Sequence, residues 1–100
     1  MSNRTPSWGT SCPAPHLPPL QPGSDELAWH ASARFARVRV VAWTCHEHRV
    51  TWYELCQGGG MSFIRRMTAK GAAVVVSYSH AWTYVEGGAI WLALLSGQAR

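Results

Sequence analysis

The sequence predicts an α+β protein: a small, mostly antiparallel sheet of three to four strands packed against a C-terminal helix, behind a disordered proline-rich N-terminal tail. Three observations carry this expectation. All six prolines fall in the first 22 residues. Beyond them, apolar residues alternate with a period of two from Arg37 to Ser79. From Thr83 the period lengthens to three and four.

Each element follows from local chemistry. Proline donates no backbone hydrogen bond and resists helix and sheet interiors, so residues 1–23 read as a tail and 24–100 as one domain. "PHLPPLQP" has the PxxP spacing of polyproline II, a conformation that docks into aromatic grooves, but a disordered leader is the simpler expectation. In "SDELAWHASARF", Ser24 can cap a short helix, with Asp25 and Glu26 in its first turn. Leu27, Ala31 and Phe35 would form its apolar stripe.

"RVRVVAWTC" is rich in β-branched residues and reads as an inner strand, with Arg37, Arg39, Val41, Trp43 and Cys45 on one face. "HEHR" reads as a loop, and "VTWYELC", "MSFIRRM" and "AAVVVSYS" as three further strands. Gln57-Gly58-Gly59-Gly60 lies between two alternating runs. A phosphate loop would need a helix next and a Lys-Ser/Thr pair, and neither follows. The glycines therefore supply the positive φ of a tight hairpin. In "TYVEGGAIWLALLSG", Thr83 and Glu86 form a capping-box pair, Gly97 stands at the C′ position, and Val85, Ala89 and Leu92, flanked by Trp91 and Leu95, make the inward stripe. Gly87 and Gly88 would let this helix approach the sheet.

The fragments "YELC", "GG", "FIRR" and "WLALLSGQAR", between Val41 and Arg100, resemble small actinobacterial proteins of unassigned function. The resemblance implies no activity, cofactor or catalytic residue.

Composition narrows the function. No apolar run approaches the ~20 residues needed to span a bilayer, so no membrane partner is expected. No charged-then-apolar leader is present, and three cysteines make no secreted disulfide framework; a soluble cytoplasmic protein with reduced thiols is expected. The net charge of +4 suggests nucleic acid, yet eight arginines against one lysine also follow from GC-rich coding. Cys45, His46, His48 and Cys56 carry the donor types of tetrahedral zinc. Their C-H-x-H spacing lacks a knuckle turn, so loop histidines, buried thiols and no metal or other cofactor are expected. No carboxylate pair or activated thiol is apparent, which argues against an enzyme. Six tryptophans exceed what one small core needs. Arg37, Arg39, Trp43, Trp52 and Arg65 are accordingly expected to form a basic, Trp-bearing sheet face that binds a protein partner or a second copy. A nucleic-acid-binding module using that face is the alternative.

Overall fold

A meander of four antiparallel strands forms the sheet, and one helix covers it. The computed structural model describes residues 14–32 and 37–100. Its strands are β1 (Arg39–Trp43), β2 (Thr51–Gly58), β3 (Met61–Lys70) and β4 (Ala73–Tyr78), followed by helix α1 (Tyr84–Leu95). Strand order is β1-β2-β3-β4. The glycine stretch is the expected hairpin: Gly58 pairs with Met61, and the two residues between, Gly59 and Gly60, have φ of 60° and 77°. Two positive φ values in a two-residue loop match the right-handed twist of the flanking strands.

The pairing assigns each side chain to a face, because directly opposite residues in an antiparallel pair point the same way. Tyr53 lies opposite Arg66, Leu55 opposite Ile64, and Gln57 opposite Ser62. Helix α1 lies over this face, and Tyr53, Leu55, Ile64, Trp91 and Leu94 make the core. The buried polar residues are satisfied in place. Ser79 Oγ accepts from the Ile64 amide at 2.8 Å and donates to the His80 carbonyl at 2.8 Å. Thr44 Oγ1 accepts from the Tyr53 amide at 2.9 Å.

Both ends of α1 follow their sequence signals. Thr83 is the N-cap, and the reciprocal bonds with Glu86 complete the capping box. At the other end the Gln98 amide donates to Ala93 O at 2.8 Å and the Gly97 amide to Leu94 O at 3.2 Å, with Gly97 at φ 78°. That is a Schellman ending. The inward stripe differs from expectation. Gly87, Trp91 and Leu94 are the buried helix residues, whereas Val85 is 84% exposed, Leu92 is 66% exposed and Ala89 faces solvent. Glu86 is the only charged residue in the helix. A helix apolar on every side offers two stripes to the sheet, and the step at Gly87 selects between them. A side chain there would overlap Ser62, which leaves room for the backbone alone.

One expectation about the N-terminal half is corrected. The segment from Ser24 does not coil into a helix. Asp25 makes a parallel bridge with Ala99, and His30 an antiparallel bridge with Tyr78. Leu27 and Trp29, two residues apart, both pack on the core, a period that suits extended chain and competes with the weak helical stripe. Phe35 lies outside the described residues. Of the expected tail, residues 1–13 lie outside the described residues, while residues 14–23 pack on the domain: Ala14 is buried, Leu17 packs on the core, and the Gln21 amide donates to Gly97 O at 2.7 Å. Proline lacks a donor but keeps its carbonyl. Cys45 N–H accordingly donates to Pro15 O at 3.0 Å, and Arg100 Nη2 to Pro18 O at 2.6 Å.

Candidate functional site

The residues expected on one binding face do not share it. Trp43 lies opposite Glu54, Glu54 opposite Arg65, and Arg65 opposite Tyr78, a row across all four strands on the side away from α1. Trp52 lies on the same side, opposite Met67. Arg39 does not: it lies opposite Gln57, whose parity is that of the helix-covered face, and donates to Gln57 Oε1 at 2.8 Å. The cause is a register shift between Val40 and Ala42. An extra residue at such a bulge reverses the alternation beyond it, which no period-two count of the sequence can anticipate. Arg37 is exposed and precedes β1.

The helix-distal face is also less open and less basic than expected. Cys56, Phe63 and Met67 all carry its parity and are buried. Trp43, at 54% exposure, is the most accessible side chain of the central row. Arg65 is held by Glu54, whose Oε1 accepts from its Nε at 2.8 Å and its Nη2 at 2.6 Å. Arg66 belongs to the other face, where its guanidinium lies 4.5 Å from the centre of the Trp29 ring.

The four residues with zinc-type donors, Cys45, His46, His48 and Cys56, do not come together as a set. Cys56 is fully buried in β2, and its sulfur donates to Glu54 O at 3.8 Å. His46 turns towards Trp52, with ring centroids 6.0 Å apart. Cys45 and His48 do converge: the sulfur lies 3.1 Å from His48 Nδ1. The residue that joins them is His16, whose ring centroid is 5.3 Å from that of His48. One donor atom from each of the three lies within 4.8 Å of the others. His16 was concealed by the proline-rich composition around it. The legible signal was spacing, since Cys12 precedes His16 by four residues as Cys45 precedes His48 by three.

Burial pushes the Cys56 thiol up to about 11, with Arg65 pulling down and Glu54 pushing up. Tyr53 is raised too, again chiefly by burial, with Arg100 and Arg66 opposing. Folding thus favours the protonated forms. The native state holds more protons than the unfolded chain between about 9 and 11, so stability is complete below that window and falls as pH rises through it. Cys56 alone is expected to remove roughly 1–3 kcal/mol between pH 8 and pH 11. Urea unfolding at the two pH values measures this, and Cys56→Ala should flatten the slope. An unchanged slope in that variant would mean the thiol is not the source.

Among the described residues no helix is long and apolar enough to cross a membrane. No family model matches the chain, and the comparisons with curated proteins and with solved structures also find no match.

Proposed function

We propose that this chain is a non-enzymatic protein-interaction module acting in the cytoplasm, and that its partner is a second copy docked against the outer face of α1. The observation that supports this reading is the exposed stripe of Val85, Ala89 and Leu92, at i, i+4 and i+7 of the helix. Its only charged neighbour on the helix, Glu86, is engaged with the Thr83 cap. An uncharged apolar ridge is complementary to its own copy, as a two-fold interface requires, and Gly88 beside it lets two helices approach closely. Burying Val85 and Leu92 of two copies gives roughly 6–10 kcal/mol. Association costs on the order of 4–15 kcal/mol, so the net gain is at most about 6 kcal/mol and the pair is weak and concentration-dependent, with Kd no tighter than on the order of 10–100 µM.

Sedimentation equilibrium of the full chain tests this. The wild-type chain should move from monomer to dimer across that concentration range, and Leu92→Glu should remain monomeric with an unchanged melting temperature. A wild-type chain that stays monomeric into the millimolar range, or a Leu92→Glu chain that dimerises equally, would overturn the reading. The nucleic-acid alternative has less support, because Arg65, Arg66 and Arg100 are engaged within the molecule.

A further inference from the structure

We propose that His16, Cys45 and His48 bind a zinc ion that fastens the N-terminal segment to the loop between β1 and β2. The three come from two stretches of chain: His16 follows the buried Ala14, while Cys45 and His48 leave the end of β1. The backbone already joins these stretches, through the bond from Cys45 N–H to Pro15 O at 3.0 Å. Cys45 is 1% exposed, while both imidazoles stand at the surface. The sulfur is thus held in place and the two rings can adjust to an ion.

The donor chemistry selects the metal. One thiolate and two imidazoles make a soft, nitrogen-rich set, which suits zinc over calcium or magnesium. Tetrahedral zinc, with bonds of about 2.0–2.3 Å, places neighbouring donors roughly 3.3–3.6 Å apart. The Sγ to His48 Nδ1 distance of 3.1 Å is close to that edge. With all three donors inside 4.8 Å, a closure of about 1 Å by the exposed rings completes the triangle. Arg49 opposes the ion: its Nη2 lies 3.4 Å from His16 Nδ1, and a guanidinium can only donate, so it occupies that nitrogen's lone pair. Coordination through this nitrogen requires Arg49 to yield. The fourth position is left to water.

A staple has an evident use here. The core is small, and the segment it would anchor carries Leu17 to the edge of that core. The site rests on different residues from the helix stripe, so each proposal can fail alone.

The test is metal content and cobalt spectroscopy on the reduced full-length chain, purified without chelator. One zinc per chain is expected. Cobalt should replace it, giving a near-ultraviolet thiolate-to-cobalt band and intense tetrahedral visible bands. A chelator should lower the melting temperature by roughly 10 °C. His16→Ala, Cys45→Ser and His48→Ala should each weaken binding by roughly 100-fold or more. Arg49→Ala should tighten it. His46→Ala and Cys56→Ser should leave stoichiometry and spectrum unchanged, and Leu92→Glu should bind zinc as wild type does. A chain with neither bound zinc nor a thiolate-to-cobalt band would overturn the proposal. So would loss of the spectrum in His46→Ala. If the ligand variants fail to fold, the cobalt titration of the wild-type and His46→Ala chains decides the matter.

Discussion

Leu94→Ala is expected to destabilise the protein by about 3–4 kcal/mol, while Leu92→Ala, two positions earlier in the same helix, changes stability by no more than about 0.5 kcal/mol. Leu94 is fully buried against Tyr53, Leu55, Ile64 and Trp91, and its truncation removes transfer free energy and leaves a cavity. Leu92 is 66% exposed and stands outside that buried cluster. The two residues are chemically identical and lie within one turn, so helix propensity cancels and burial alone separates them. Urea denaturation at low protein concentration, where α1 has no second copy, measures both. Equal losses would mean that the helix is turned differently on the sheet.

Adjacent glycines should respond with opposite signs. Gly88→Ala is expected to stabilise by about 1 kcal/mol, since alanine is the better helix former and nothing lies within 4 Å of the added methyl. Gly87→Ala gains the same propensity term but places its methyl inside Ser62. Ser62 cannot retreat, because its amide and carbonyl are both bonded to Trp82, at 2.8 Å and 2.7 Å. The helix must move outward and loosen Trp91 and Leu94, a net loss of about 1–2 kcal/mol, with Gly87→Val losing roughly 3 kcal/mol. Thermal unfolding of the two alanine variants checks the signs. A stabilised Gly87→Ala would show that α1 does not lie this close to β3.

These contrasts mark what was legible in the sequence. The strands, the Gly59-Gly60 turn and both helix caps depend on neighbouring residues: alternation, positive φ, and side chains bonding to nearby backbone. Each is written locally and each is present. The sidedness of α1 is not local. Its two apolar stripes differ only in fit to the sheet, and Val85, Ala89 and Leu92 have as good a spacing as Trp91 and Leu94. The candidate site was lost for similar reasons. One bulge between Val40 and Ala42 moved Arg39 away from Trp43. His16 meets Cys45 and His48 because proline carbonyls, together with Ala14 and Leu17, hold its segment against the domain. The sequence around Ser24 carried a cap and a thin stripe. The bridges to Ala99 and Tyr78, both distant in sequence, prevailed over them.

The central claim is that α1 buries one stripe within the monomer and offers the other to a second copy. Methyl-resolved NMR of the full chain, recorded from about 5 µM to about 500 µM, examines it most directly. Concentration-dependent shifts should appear at Val85, Ala89 and Leu92, with Ile64 and Leu94 unmoved. Shifts confined to side chains near Trp43 and Trp52, or a spectrum that ignores concentration, would contradict it.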